Sequence, residues 1–273
     1  MGHRLAFPSG GARGDRQALI TRGAITRKAD RDGVSAPVVE RDYVLTHIIE
    51  ALAQLQPRPG LIFKGGTALR LCFYEDYRYS ADLDFSLVEL TVGDGLEPLR
   101  QALERCVEAV GLPHLSLADA EPLEVEYVGP LGRERRIKLD LADDELVLDT
   151  TQRTVISRYS DQSQDGSTIT TYTLEEIAAE KLRCVIQRLL CRDISDLHRL
   201  FVREGIEVEM VWPLFEEKAR AKNLDPGRFS ERLAAREPQF RQRWEQELSD
   251  LERDVAPFDE VIRQLRRALR DHL

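Results

Sequence analysis

Phe63-Lys64-Gly65-Gly66-Thr67 and Ser80-Ala81-Asp82-Leu83-Asp84-Phe85 are the two segments on which the fold turns. Leu61-Ile62-Phe63 is a short apolar strand, and the two glycines turn the chain into a helical stretch over Thr67–Phe73. Glycines after a strand and before a helix let backbone amides approach a phosphate closely, and Thr67 adds a hydroxyl at the helix start. From Asp82 to Leu87 the residues alternate. Asp82, Asp84 and Ser86 fall on one face and Leu83, Phe85 and Leu87 on the other, the pattern of a half-buried strand. The D-x-D therefore sets two carboxylates on one strand face, about 7 Å apart by Cα. Such a pair can bridge hard divalent cations, and Mg2+ takes oxygen ligands with phosphate completing its shell. A lone Gly-Gly is usually a turn, and a lone D-x-D a solvated strand face. The order strand, GGT, helix, strand, DxD gives the two their weight.

Upstream, Tyr43, Val44, His47, Ile48, Ala51, Leu52 and Leu55 recur at helical spacing and predict an amphipathic helix over Glu40–Gln56, ended by residues 57–60. Downstream, a helix is expected over Leu96–Val110, closed by Gly111. Two alternating segments follow, Leu123–Val128 and Arg136–Leu141. In the second, Ile137, Leu139 and Leu141 face inward, so Lys138 and Asp140 share the polar face and Asp140 is a candidate third carboxylate. Three acids on one surface repel one another unless a metal neutralises them or a pKa rises.

Residues 158–171 are polar and read as a linker or long loop. Beyond them Thr173 and Glu176 make a T-x-x-E capping box, with Tyr172 and Ile177 as its hydrophobic staple. On that helix Lys181 lies about 40° from Ile177, inside the apolar arc of Leu174, Ala178, Leu182, Val185 and Leu189. A lysine so placed snorkels, pairs or points into a site. Further helices fit Asp193–Val202, Val211–Asn223 and about Pro257–Arg270. Asp193 suits an N-cap as well as a functional acid. The expected architecture is α+β. A basic arm over residues 1–36, mobile or loosely docked, precedes a mixed-sheet core over 37–157 and a helical region over 158–273.

The chain has 273 residues, 39 Lys+Arg against 48 Asp+Glu, and a formal charge of −9. That acidity argues against an indiscriminate nucleic-acid coat. Basic charge is nevertheless clustered in 131–138 and 181–203, next to candidate site residues. No apolar run approaches the ~18 residues of a membrane span. The four cysteines show no zinc-type or disulfide spacing, and the first fifteen residues lack the apolar core of a secretory signal, so a reducing cytoplasm is expected. G-x-x-x-x-G-K-[ST], H-E-x-x-H and G-x-S-x-G are all absent, which removes P-loop, metalloprotease and serine-hydrolase readings.

Phe63–Leu69 (FKGGTAL), Arg78–Ser86 (RYSADLDFS), Ile137–Leu141 (IKLDL) and Glu176–Leu197 (EIAAEKLRCVIQRLLCRDISDL) together resemble the AbiEii-type nucleotidyltransferases. These are toxin components of type IV toxin–antitoxin and phage-defence pairs, in the DNA polymerase β-like superfamily. The resemblance covers about Arg41 to Leu200, with residues 1–36 and 202–273 outside it. Fourteen residues separate Thr67 from Asp82, slightly more than the usual gap, which points to a longer helix–strand turn.

The resemblance implies a nucleotidyltransferase-type fold and transfer of a nucleoside monophosphate from an NTP to a hydroxyl. It assigns Asp82 and Asp84 to metal, Mg2+ or Mn2+. Asp140 would complete the metal site or accept the hydroxyl's proton. Lys64, Gly65, Gly66, Thr67, Ser80, Lys138, Lys181, Arg192, Asp193 and Asp196 match the nucleotide-binding motif segments, with Lys181 also counted as catalytic. It further implies an RNA acceptor, the 3′ end of tRNA, and a cognate antitoxin. Rival readings are a transferase acting on a protein or small molecule, a phosphotransferase, and a non-catalytic nucleic-acid or antitoxin scaffold.

Overall fold

The computed structural model describes residues 20–56, 60–110, 112, 114–118, 122–163 and 165–273. Its first element is a correction. The basic arm is expected to be mobile or loosely docked and without periodic structure through residue 36, yet Arg22–Asp32 forms helix α1. Thr21 Oγ1 caps it by accepting the Ala24 N–H at 3.2 Å, and Gly33 ends it with a left-handed φ of 68°. Ile25 and Ala29, one turn apart, are buried against the core, and two apolar residues are too sparse a pattern to announce a docked helix. Residues 1–19 of the expected arm lie outside the described residues.

Helix α2 (Ala36–Leu55) starts with Pro37 in its first turn, where a missing N–H costs nothing. Most of its expected end, at 57–59, lies outside the described residues. Strand β1 (Leu61–Lys64) runs into α3 (Gly65–Ala68), which widens into a π-helical turn over Leu69–Phe73. Strand β2 (Leu83–Leu87) and helix α4 (Val92–Val110) follow, and Gly111 lies outside the described residues. Then come β3 (His114–Leu117), β4 (Glu124–Val128), β5 (Glu134–Ala142), β6 (Thr150–Thr154) and β7 (Thr168–Tyr172). The remainder is helical: α5 (Leu174–Gln187), α6 (Cys191–His198), α7 (Val208–Ala221), α8 (Phe229–Leu248) and α9 (Phe258–Ala268).

The strands form one mixed seven-stranded sheet in the order β3-β4-β5-β2-β1-β7-β6. Strand β2 pairs antiparallel with β1 and parallel with β5, and β1 pairs parallel with β7. Residues 158–171 are therefore more than a linker, because they contain most of β7, placed beside β1. The run Thr-Ile-Thr-Thr-Tyr carries strand propensity in β-branched threonines that a hydropathy pattern does not register. The expected core boundary at 157 falls short of this strand.

Strand alternation sorts the core. Phe63, Leu83, Phe85, Ile137, Leu139 and Leu141 point to the cluster built with α1, α2 and α4. Ile62 and Tyr172 join a second cluster with α5 to α9 on the other side. The helical region thus covers one end of the second sheet face and leaves a cleft over the polar positions of β1, β2 and β5. Among the described residues no helix is long and apolar enough to cross a membrane. All four cysteines are buried free thiols.

Candidate active site

The segment leading into the D-x-D has no regular secondary structure and is tied down from every side. Arg158 Nη1 donates to Glu75 O (2.8 Å), while its Nη2 reaches the carbonyls of Tyr74 (2.6 Å) and Arg70. Arg70, itself held by the Asp42 carboxylate, donates to Tyr77 O. The Tyr79 N–H bonds Leu251 O at 2.9 Å, and the Tyr79 hydroxyl bonds Asp32 at 2.5 Å. Thr67 Oγ1 contacts Ser80 Oγ (2.9 Å) and donates to Asp82 O (2.5 Å). The longer turn expected from the fourteen-residue gap is this anchored loop. It delivers Asp82, just before β2, and Asp84, on it, at a fixed height in the sheet.

Lys64, Asp84 and Asp140 are adjacent across the sheet, since Lys64 pairs with Asp84 in the β1/β2 register and Asp84 with Asp140 in the β2/β5 register. Burial, and then the charge of Asp82, push the Asp84 carboxyl up to about 6, against the pull of Lys64, Lys181 and Arg192. Asp82 Oδ2 is paired with Arg192 Nη2 at 3.0 Å. Asp140 is half exposed, its Oδ2 4.0 Å from Lys138 Nζ. Among the described residues no three acidic, histidine or cysteine side chains converge tightly enough to hold a metal ion, so the expected three-acid centre is not preassembled. Asp82 and Asp84 are close enough for the Asp82 charge to raise the Asp84 carboxyl, and Asp140, half exposed on the neighbouring strand, lines the same cleft.

Opposite these acids stands a wall of cations. The face of α5 bearing Ile177, Glu180, Lys181, Cys184 and Gln187 lines a cleft of about 340 Å3, together with Lys64, Gly65, Gly66, Arg78, Ser80, Lys138, Arg183, Arg188, Arg192 and Lys222. Lys181 is buried with its Nζ 2.9 Å from Asp193 and 2.8 Å from Asp196. Asp196 also grips Arg78 through two bonds of 2.7 Å and accepts from the Tyr77 hydroxyl at 2.6 Å. Asp193 accepts from Arg188 Nε at 2.9 Å. Burial alone would raise both carboxyls, but Arg78 and Lys181 hold Asp196 far below its ordinary value, and Lys181 and Arg188 lower Asp193. Two buried anions thus fix three cations at the cleft wall without lining the cleft themselves.

These positions correct several expectations. Asp193 is not an N-cap, because Leu190 occupies that position in α6. Thr67, 1% exposed, is not in the cleft wall and braces the D-x-D instead. The capping box is half formed. Thr173 Oγ1 accepts the Glu176 N–H at 3.2 Å, whereas the Glu176 carboxylate turns to Lys218 (2.6 Å) and Leu148 N (3.1 Å). The glycine turn is as tight as its sequence implies. A Cβ on Gly65, whose φ is 77°, would sit 2.7 Å from Asp84 Oδ2, and one on Gly66 would sit 2.9 Å from Arg78 Nη2.

Sequence reasoning missed Arg78, Glu145, Glu180, Arg183, Arg188 and Lys222 as cleft residues. Lys64 Nζ is held by Glu180 at 3.2 Å, and Arg183 and Lys222 both meet Glu145. Glu180 and Arg188 both fall within a motif segment, and Arg188 stands seven residues from Lys181 at helical spacing, which is a usable signal. Lys222, on another helix, gave none.

Residues 47–264 match the family model described as nucleotidyl transferase AbiEii toxin, type IV toxin–antitoxin system. Among solved structures, the nucleotidyltransferase toxin MenT4 of Mycobacterium tuberculosis H37Rv superposes with a TM-score of 0.68 at 21% identity, covering 91% of this chain and 88% of that one. At that identity the likeness speaks for the fold. An antigenic nucleotidyltransferase-like protein of Paracoccidioides brasiliensis reaches a TM-score of only 0.38 at 13% identity, over 72% of this chain and 93% of that one, and carries no argument. No curated protein matches the chain. With a family match spanning most of its length and a nucleotidyltransferase fold around the cleft, the chain belongs to the AbiEii family of nucleotidyltransferase toxins of type IV toxin–antitoxin systems.

Proposed function

We propose that this nucleotidyltransferase moves a nucleoside monophosphate from an NTP to a hydroxyl at the 3′ end of an RNA, tRNA being the acceptor, and releases pyrophosphate. The observation that carries the chemistry is one cleft in which the Asp82–Asp84 pair faces Lys64, Lys181, Arg78, Arg188 and Arg192. Acids suit a divalent cation and the cations suit a triphosphate, while positioning and charge compensation are what phosphoryl-type transfer asks of a protein. The RNA acceptor rests on the family resemblance, and blocking tRNA would account for a toxin. A type IV system also implies an antitoxin partner.

The donor set fits a hard cation: the charge of Asp82 helps to raise the proton affinity of Asp84, a repulsion that a divalent ion relieves. Asp140, which lines the same cleft, would be the third oxygen donor. When bound, Mg2+ or Mn2+ would activate the hydroxyl and offset charge on the leaving pyrophosphate. The Gly65-Gly66 backbone and the cations fixed by Asp193 and Asp196 orient the triphosphate. Arg192, freed from Asp82, turns to the phosphates. The acceptor oxygen bonds to the α-phosphorus, the bond from that phosphorus to the oxygen bridging to the β-phosphate breaks, and the hydroxyl proton passes to Asp140.

Incubation with total RNA, Mg2+ and each α-32P-labelled NTP in turn tests this. Label in RNA of tRNA size is expected. Label on protein or a small molecule instead would overturn the acceptor, and label from the γ position alone would overturn the chemistry.

A further inference from the structure

The cleft acids lie on a strip of chain that alternates before β2 begins. Arg78, Ser80, Asp82 and Asp84 line the cleft, whereas Tyr79, Leu83 and Phe85 belong to the core cluster built with α1, α2 and α4. That is the two-residue period of an extended chain. The cleft-facing members have their own tethers: Asp196 grips Arg78, and Thr67 bonds Ser80 Oγ and the Asp82 carbonyl. Tyr79 is not among the residues lining the cleft, so its contacts hold the strip from the far side.

Three parts of the molecule meet at Tyr79, which is buried. Its N–H reaches Leu251 O, just past α8, at 2.9 Å. Arg70, held by Asp42 of α2 at 3.0 Å, sets its guanidinium 3.8 Å from the centre of the Tyr79 ring. The Tyr79 hydroxyl donates to Asp32 Oδ2, in the last turn of α1, at 2.5 Å and has no other partner among the described residues. Lys28 donates to the same oxygen at 2.9 Å, and Arg31 Nε to Asp32 Oδ1 at 3.2 Å. Burial alone would raise the Asp32 carboxyl, but Lys28, Tyr79 and Arg31 hold it below its ordinary value, which makes it an ionised and therefore strong acceptor. The end of α1 is wedged as well, since a Cβ on Gly33 would sit 2.6 Å from Arg253 Nε. Of the residues of α1, Ile25 and Ala29 are buried, so its apolar hold on the core is slight and its polar hold is concentrated on one tyrosine of the strip.

We infer that Asp32 and Tyr79 are positioning residues for nucleotidyl transfer: through their bond, α1 holds the strip 78–84 from behind, at the height where Asp82 and Asp84 meet the reacting phosphate. The role rests on the transfer reading above. Neither side chain lines the cleft, so both act through the backbone between Arg78 and Asp82. Helix α1 precedes the segment matched to the family, 47–264, so its part in the reaction is this chain's own. A misplacement of about 1 Å originating far from the chemistry can cost about 10²-fold in rate. With Arg78 and Ser80 still tethered, the loss on breaking this one bond should be smaller, about tenfold.

The test is steady-state transfer of α-32P label from the best-used NTP to total RNA, well below the melting temperature, joined to amide hydrogen exchange. Y79F deletes only the hydroxyl, D32A deletes the acceptor, and D32N keeps an oxygen that can accept. In Y79F and D32A kcat should fall about tenfold, while D32N stays within about threefold of the wild type. KM for the NTP should stay within about threefold throughout, because Arg78, Lys181 and Arg188 keep their own carboxylates. Y79F and D32A should also speed amide exchange over residues 74–82 and leave α5 unchanged. A wild-type kcat in Y79F and D32A overturns the positioning role, and a lowered Tm beside it marks a bond that only stabilises. Unchanged exchange over 74–82 overturns it too. D32N as slow as D32A, with Y79F at wild-type rate, overturns the hydroxyl contact in favour of the Asp32 charge. No label from the wild type overturns the transfer reading and the positioning role with it.

Discussion

Asp84 concentrates the cost of the site in one side chain. It is held under burial and beside Asp82, with Lys64, Lys181 and Arg192 only partly offsetting the repulsion. D82N and D84N remove charge without removing volume, so each should lower nucleotidyl transfer by at least about 10²- to 10³-fold, measured with α-labelled NTP. The melting temperature should hold or rise in both, since a strained functional group has been relaxed. Asp196 is the opposite case, a buried anion whose removal strands Arg78 and Lys181. D196A should cost about 3–5 kcal/mol in urea unfolding, as expected for breaking a buried pair from one side. Its carboxyl lies far below its ordinary 3.8, so its contribution is present above that pH and is lost as pH falls through the lower folded value. Wild-type stability should therefore fall in that acid window, and in D196A that part of the fall should be missing. The sequence made Asp82, Asp84 and Asp140 legible through alternation and Lys181 through its place on an apolar arc. The partnership of Asp196 with Arg78, 118 residues apart, has no local signature.

Elements differ in how openly they are written. Helix α5 and strand β2 follow their periodicity closely. Helix α8 was not foreseen, because Phe229, Leu233, Phe240, Trp244 and Leu248 are embedded among arginines and glutamates and interrupted by Pro238. The loop 74–81 is set by distant donors, above all Arg158. R158A removes bonds to three carbonyls and should cost about 2 kcal/mol. It should also lower kcat for transfer, since the loop delivers Asp82, and a Tm change without any activity change would contradict that role. On α2, His47 is 2% exposed and faces Glu50 (3.4 Å) and Asp161 (3.5 Å), with Tyr43 bonded to the same Asp161. Burial alone would lower the imidazole's pKa, but Asp161 and Glu50 raise it above 6.5. Its stabilisation is full below that pH and is lost as pH rises through the folded value. Urea midpoints should therefore decline from pH 6 toward pH 8 and above in the wild type, with a flatter profile in H47Q.

At the scale of the molecule, the sheet and the helical region are joined by charge as well as by apolar packing. Lys218 of α7 is fully buried, 2.6 Å from Glu176 and 2.7 Å from Leu146 O, its ammonium 4.6 Å from the centre of the Tyr172 ring. K218A should lower stability by about 3–5 kcal/mol, whereas K218M combined with E176L should recover most of the loss, because a buried pair replaced whole by apolar groups is often near neutral. Chemical denaturation of the three proteins checks this. The expected division at residue 157 overlooked that the sheet itself crosses it, through β7.

That crossing has a consequence in time. Strand β2 and the residue before it carry the candidate acids Asp84 and Asp82, yet its neighbour β1 acquires β7 only from residue 168, and the anions that fix the cationic wall are residues 193 and 196. A ribosome adding about 5–20 residues per second needs roughly 6–20 seconds to travel from Asp84 to Asp196. Through that interval the nascent chain holds its carboxylates and Lys64 without the Asp193 and Asp196 carboxylates that fix Arg78, Lys181 and Arg188 at the cleft wall. On the proposed chemistry, a toxin assembled in this order spares the ribosome that is making it until residue 196 has been read and folded.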